Sequence, residues 1–354
     1  MDSNNSLKNK KEKKFETMKN KNFLDDINSK YVVALIFKNL IRGKALKIIK
    51  YSKKMQNRME LNIKNYKAYS EKLSQIEIEI IPNENQYCKI IHILNDEEKK
   101  YYHIYLNNNK EEIKRNYLNK SDDITNLKIK VEIDNQVKSL SKLFIYCKHI
   151  KSICFKRFRR NYILDMSEMF KECSSLKEIN FLSFNSENVS NMKEMFSGCS
   201  SLKELNLSNF NTENVIDMCE MFRDCSLIEK INLSSFDTKN VINMYAMFLG
   251  CGALKELNIS NFNTCNVTDI HAMFFGCASI KELDLSNFST DKVTDMEFMF
   301  HNCASLKELN IINFNTNEVI ENNQYYIFSY CSDELKAKIK EQYNFFKDEA
   351  FSDF

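Results

Sequence analysis

From Val137 onward the apolar positions return with a fixed period. Cys147, Cys173, Cys199, Cys225, Cys251, Cys277 and Cys303 stand 26 residues apart. Each carries the same skeleton, best formed in Asn191 to Phe210, NMKEMFSGCSSLKELNLSNF. Met192, Met195 and Phe196 sit at i, i+3 and i+4, the spacing of one face of a short helix, and Ser190 is placed to cap it. Gly198 follows as a chain reversal. Leu205 and Leu207 then alternate with Glu204, Asn206 and Ser208, the period of a short strand, and Phe210 folds under the turn after it. A fixed period of this length predicts an array in which each unit buries its face against its neighbours. The expected fold is an α/β solenoid over 137–331: strand, turn, short helix, turn, with successive strands stacked as a parallel sheet.

The first 136 residues lack this period. Residues 1–22 are polar and Lys/Asn-rich and read as a disordered tail. Over 23–74, Ile27, Tyr31, Leu35, Ile36 and Leu40 keep helical spacing up to Gly43, and Leu46, Ile49, Met55 and Met59 give a second face. A small α+β segment is expected over 75–136. Its strands are Ile76–Ile81, Cys88–Ile93, Tyr101–Leu106 and Leu127–Ile133, with a helix over Lys110–Leu118 between the third and fourth. Beyond Cys331, two residues off the lattice, residues 332–354 predict a capping helix that starts at Ser332 and buries Leu335, Ile339 and Tyr343.

Charge divides the chain at the same place. Residues 1–146 hold 30 Lys+Arg against 19 Asp+Glu, and residues 147–354 hold 21 against 29, so a basic half precedes an acidic one. The first residues show no apolar h-region and no run reaches the length of a membrane span, so an intracellular, cytoplasmic chain is expected. Its 12 Cys are then expected as free thiols. No CxxC pair, zinc-spaced Cys/His cluster, phosphate loop or nucleophile–base set occurs. Neither a metal, a cofactor nor catalysis is expected.

The unit MFxxCxSLKELNLSNFNTxNVTDM, with its LxxLxLxxF strand, strongly resembles the 26-residue repeat of the BspA-like leucine-rich-repeat family over 137–331. That resemblance implies a binding or adhesion scaffold, often at a cell surface, although this chain shows no signal or anchor. FLDDINSKYVVALIFKNLIRGKALKIIKYSKKMQNRM, residues 23–59, gives the stretch 24–60 a resemblance to an F-box through Leu35, Ile36, Phe37 and Leu40. It lacks the usual early Leu-Pro and late Trp. This second resemblance implies a substrate adaptor that engages a Skp1-type adaptor of a ubiquitin ligase.

The candidate binding surface is the outward strand face. One column is Glu178, Glu204, Glu256, Glu282 and Glu308, interrupted by Lys230. The next is Asn180, Asn206, Asn232, Asn258, Asp284 and Asn310, followed by Ser208, Ser234, Ser260 and Ser286. The plainer reading makes these solvated residues, with Asn ladders bonding unit to unit. The Cys ladder reads as small buried thiols setting the register, while Cys219 and Cys265, off the lattice, are expected to be more exposed. His271 and His301 occupy different positions and suggest no site. Lys156, Arg157, Arg159 and Arg160 depart from the repeat as a basic group, expected at a solvated edge or against acidic units; no motif supports sequence-specific nucleic-acid binding. The function expected is a non-enzymatic protein-interaction scaffold. An F-box-like adaptor and a surface adhesin are the alternatives.

Overall fold

A computed structural model describes residues 74–83, 89–107, 109–119, 121–123 and 125–353. The chain divides into two compact units, 1–74 and 75–354. The tail, the helices expected over 23–74 and the F-box-like stretch at 24–60 lie outside the described residues.

The second unit starts with β1 (Ile76–Pro82), where Ile76, Ile78 and Ile80 are buried and the residues between them are half-buried. β2 (Tyr102–Leu106), β3 (Glu112–Ile113) and β4 (Ile129–Ile133) follow, then β5 (Ile150–Arg157) and β6 (Glu178–Asn180). These make one sheet in the order β3-β2-β4-β1-β5-β6. All its pairings are antiparallel except β5 with β6, where Ile153 lies opposite Ile179. β5 is therefore the hinge of the topology: it closes the antiparallel sheet and serves as the strand of the first 26-residue unit. Three of the four members of the basic group are held at this junction, while Arg159 is exposed. Lys156 Nζ is 3.3 Å from Glu79 and Arg157 Nη2 is 3.2 Å from Glu77. Arg160 is fully buried, with Nη1 donating to the carbonyl of Val137 at 3.2 Å and Nη2 to that of Ile133. A buried guanidinium is tolerated because carbonyl oxygens replace its water.

Two local expectations fail in this sheet. Residues 89–93 form no strand beyond a single bridge from Lys89 to Tyr117, and 110–118 form no helix. Ile90, Ile91 and Leu118 are fully buried all the same. Arg115 is drawn to Asp122 at 2.7 Å, and Asn116 Nδ2 donates to the Ile91 carbonyl at 3.0 Å. A nine-residue helix is marginal by itself. Here tertiary partners claim the groups it would have used.

The repeats form differently from the expected α/β solenoid, and the correction is specific. The Met-x-x-Met-Phe segments are turns, and the one α-helix among the described residues is α1 (Asp333–Gln342) near the C-terminus. Strands are short: β7 (Glu204–Asn206) pairs only with β8 (Lys230–Asn232), and β9 (Glu282–Asp284) only with β10 (Glu308–Asn310), both parallel. Residues 256–258 are not a strand. What results is a chain of strands and turns in small mixed and two-stranded sheets.

The turns explain why no helix forms. Met195 N–H bonds back to the Met192 carbonyl at 3.2 Å and Cys199 N–H to that of Phe196 at 3.1 Å, each closing a three-residue step. The alternate N–H groups of Met192, Glu194, Phe196 and Gly198 instead cross to Asp217, Cys219, Met221 and Arg223 of the next unit at 2.8 to 3.1 Å. Such a zigzag needs left-handed backbone every fourth residue, and Glu194 (φ +55°) and Gly198 (φ +73°) supply it. An isolated five-residue helix would satisfy few of these donors and would pay the nucleation cost. The turn ribbon satisfies its donors through the neighbouring unit, and Met192, Met195 and Phe196 stay fully buried.

Other contacts bind unit to unit. Thr212, Thr238, Thr264 and Thr290 are buried, and each hydroxyl donates to a carbonyl 25 residues ahead while accepting that residue's N–H. Phe196, Phe222, Phe248 and Phe274 stack in register with ring centroids 5.4 to 5.7 Å apart. α1 closes the far end: Ser332 accepts the Leu335 N–H at 3.2 Å, and Leu335 and Ile339 are buried. Among the described residues no helix is long and apolar enough to cross a membrane.

Candidate functional site

Alternation places the candidate columns. Leu205 and Leu283 point into the core while Glu204, Asn206, Glu282 and Asp284 on either side of them are exposed. Glu178, Asn180, Ser208, Glu256, Asn258, Glu308 and Asn310 are likewise exposed, and Asn232 is half-buried. The candidates thus lie outward of the buried Leu positions, with Glu256 and Asn258 in a segment that is not a strand and Ser208 just past β7.

The Asn column bonds unit to unit at Asp284, which takes a side-chain hydrogen bond from Asn310, and otherwise its bonds close local turns. Five of its six members accept the N–H two residues ahead, among them Asn206 from Ser208 at 3.1 Å, Asn258 from Ser260 at 3.1 Å and Asp284 from Ser286 at 3.0 Å. This side-chain turn bends the backbone just past the strand and limits the strand to three residues. The bond from Ser286 also holds the Asp284 carboxyl below its ordinary range. Most of the unit-to-unit bonding falls to other Asn residues. Asn214, Asn240 and Asn266 donate to Glu187, Glu213 and Lys239 carbonyls, each at 2.8 Å. Spacing alone does not separate these two kinds of Asn, because both recur every 26 residues.

The Glu column is where the units differ electrostatically. Glu204 lies opposite Lys230 in the β7–β8 register, so opposite charges meet. Lys255 Nζ approaches Glu229 at 2.5 Å in the adjacent column, where the Lys-Glu order is reversed. In the last units the relief ends: Glu282 lies directly opposite Glu308, and Glu256 precedes them in the same column. Like charges facing across paired strands, about 4.8 Å apart, repel. Lys338 from α1 partly offsets this, standing 2.9 Å from Glu308 and 3.2 Å from Glu334.

A groove of about 910 Å³ lies over these carboxylates, lined by Glu256, Asn258, Glu282, Asp284, Glu308 and Asn310. Gln342, Tyr343 and Ile312 form one wall, and Ile312 is 67% exposed. Sequence reasoning found the floor and missed this wall. Tyr343 caps the end of α1, and its hydroxyl accepts the Ile311 N–H at 3.4 Å, a contact between elements 32 residues apart.

The cysteines separate as structural groups. Cys199 and its lattice equivalents are fully buried, and burial pushes Cys225 and Cys277 up to about 12. Cys219 corrects the expectation of exposure: it is buried, and its thiol is raised to about 12. Cys265 is exposed. His271, on the turn ribbon, does have partners: Asp295 at 3.2 Å and Glu297 at 3.9 Å, with Tyr245 stacked at 5.2 Å. The bond to Asp295 raises its pKa above the ordinary value.

The model of the family described as "Mycoplasma protein of unknown function, DUF285" matches residues 138–256 and 220–341. No curated protein matches the chain. Among solved structures, the chain is similar to a leucine-rich repeat protein from Bacteroides ovatus ATCC 8483, at 17% identity and a TM-score of 0.24. That likeness covers 51% of this chain and 65% of the other, so the chain spans under two thirds of that protein's length. At such a score it carries no weight for fold or function. The family matched is thus DUF285, and membership of the BspA-like family does not follow.

Proposed function

This chain belongs to the family described as Mycoplasma protein of unknown function, DUF285, and we propose that it is a protein-binding repeat array, without catalysis, whose outward strand face holds a partner. The observation carrying this reading is the groove over Glu256, Glu282 and Glu308, where Glu282 faces Glu308 directly, whereas Glu204 faces Lys230 in the earlier pair. Repulsion along such a column is relieved by an opposite charge from outside, so the partner segment is basic. The rigid, buried core behind the face supports the same role, since a presented surface gains from being pre-organised.

The test is affinity capture by the full chain with a triple variant, Glu256→Lys, Glu282→Lys and Glu308→Lys. A control reverses Glu178 and Glu204 on the early units. Partner recovery is expected to fall about tenfold or more with the triple variant and little with the control, a change of roughly 1.4 kcal/mol or more. Equal recovery with all three proteins would refute binding through this groove.

A further inference from the structure

A second cavity lies in the antiparallel sheet, far in sequence from the strand-face groove. It has a volume of about 490 Å³, within the usual range for small-molecule sites. Its floor is apolar. Ile104 of β2 lies opposite Ile113 of β3, and Tyr102 and Ile93 line the same space. Ile104 and Tyr102 are buried, and Ile93 and Ile113 are half-buried.

The lining charges are mostly cationic: Lys99, Lys100, Lys114 and Arg115 against Glu112 alone. Glu112 is engaged by Lys114 at 2.9 Å and by His103 at 3.3 Å. Arg115 Nη2 contacts both oxygens of Asp122 at 2.7 Å, and Lys99 pairs with Asp96 at 2.8 Å. Counting Asp96 and Asp122 with the lining groups leaves one net positive charge. A separate observation points to an acceptor. Arg115 Nε is buried and makes no hydrogen bond. A buried donor left unmade is costly, and an anionic oxygen is its strongest partner.

We propose that this cavity binds a small organic carboxylate. Its apolar body lies on Tyr102, Ile104 and Ile113, and its oxygens take the ammonium of the exposed Lys100, whose Nζ stands 5.0 Å over the Tyr101 ring, and the Arg115 Nε–H once that side chain turns toward the cavity. One excess positive charge matches a monoanion better than a phosphate dianion. The apolar floor requires a hydrocarbon or aromatic body.

Titration calorimetry on the full chain tests this with three probes: 1-naphthoate, its uncharged amide 1-naphthamide, and inorganic phosphate. Naphthoate is expected to bind at one site, with the amide at least tenfold weaker and phosphate giving no saturable heat. Lys100→Glu, at an exposed position, is expected to weaken naphthoate at least tenfold with an unchanged melting temperature. Arg115→Lys keeps the charge toward Asp122 but removes Nε, and is expected to weaken it severalfold. Absence of naphthoate binding, equal affinity for the amide, tighter binding of phosphate, or indifference to Lys100→Glu would each overturn the assignment.

Discussion

The thiol of Cys199 donates to the carbonyl oxygen of Phe170, in the preceding unit, across 3.2 Å. That oxygen already accepts the Cys173 N–H of its own turn at 3.1 Å, so both its lone pairs are used. The arrangement recurs at Cys225–Phe196, Cys251–Phe222, Cys277–Phe248 and Cys303–Phe274, at 3.2 to 3.3 Å. The Cys ladder is thus a run of small donors that fit between units and satisfy carbonyls no backbone N–H from the next unit reaches.

Among the cysteines of the described residues, alkylation followed by mass-spectrometric mapping should therefore label the exposed Cys265 first and the half-buried Cys154 next. The lattice thiols and Cys219 should stay protected until the protein unfolds. Labelling of Cys199 or Cys225 in the native protein would contradict the packing. Stability should also depend on pH. An unfolded thiol ionises near ~8.5, whereas burial holds Cys225 and Cys277 to about 12 and Cys331 to about 11. Above the unfolded value the unfolded chain binds fewer protons than the folded one, so stability falls as pH rises, by at most about 1.4 kcal/mol per unit per thiol. Urea midpoints in reductant should hold steady from these groups up to about pH 8 and drop by pH 10. Cys225→Ala should flatten part of that slope.

Thr238 tests the buried hydroxyl ladder. Its Oγ1 donates to the Asn263 carbonyl at 2.9 Å and accepts the Asn263 N–H at 2.7 Å. Thr238→Val keeps the shape and leaves both backbone groups unpaired, which should destabilise by about 1–3 kcal/mol. Thr238→Ser keeps both bonds and loses only a methyl, at about 1 kcal/mol. Equal losses in chemical denaturation would assign the position to packing alone.

Two glycines on the turn ribbon separate backbone strain from steric conflict. Gly276 has φ +71°, and an added Cβ would meet nothing closer than 3.8 Å. Gly276→Ala should cost only the left-handed penalty, about 1–2 kcal/mol. At Gly250, φ +73°, the Cβ would come within 2.4 Å of Asp224 Oδ1, so Gly250→Ala should cost more. Adding Asp224→Gly should recover the difference in a thermal melt. It removes the clash and places glycine where Asp224 now holds φ +55°.

The two turn-ribbon histidines should titrate in a set order by NMR. His271 is raised by its bond to Asp295, and His301 is lowered by desolvation. As pH falls, His271 should take its proton first. What His271 adds to stability is fully present below its unfolded pKa and is lost as pH rises through its folded value. Asp295→Asn should lower the His271 pKa; no change would mean that the bond does not form in solution.

Much of the site was legible from period alone. Glu204, Asn206 and Glu282 could be placed outward because Leu205 and Leu283 had to face inward, and a strand allows no third choice. The single reversal of charge in the column is also visible in the sequence, at Glu229-Lys230 against Lys281-Glu282. The groove's wall was not, since Tyr343 reaches it from a separate element. For Lys156 and Arg157 the sequence offers a solvated edge or the acidic units; β1 pairing with β5 instead sets them against Glu79 and Glu77 of the N-terminal sheet.

The sequence by itself determined the 26-residue register, the identity of the buried columns and the outward face. These follow from which side chains tolerate water, and that is a local property of each position. The tertiary structure alone decided what backbone carries the Met and Phe columns. The i, i+3, i+4 spacing of Met192, Met195 and Phe196 suits a helical turn and a left-handed zigzag equally. The choice fell to the zigzag because its free N–H groups are satisfied by Asp217, Cys219, Met221 and Arg223 of the next unit. A five-residue helix would leave nearly all its N–H groups without an intrahelical partner, and its geometry does not aim them at the next unit's carbonyls.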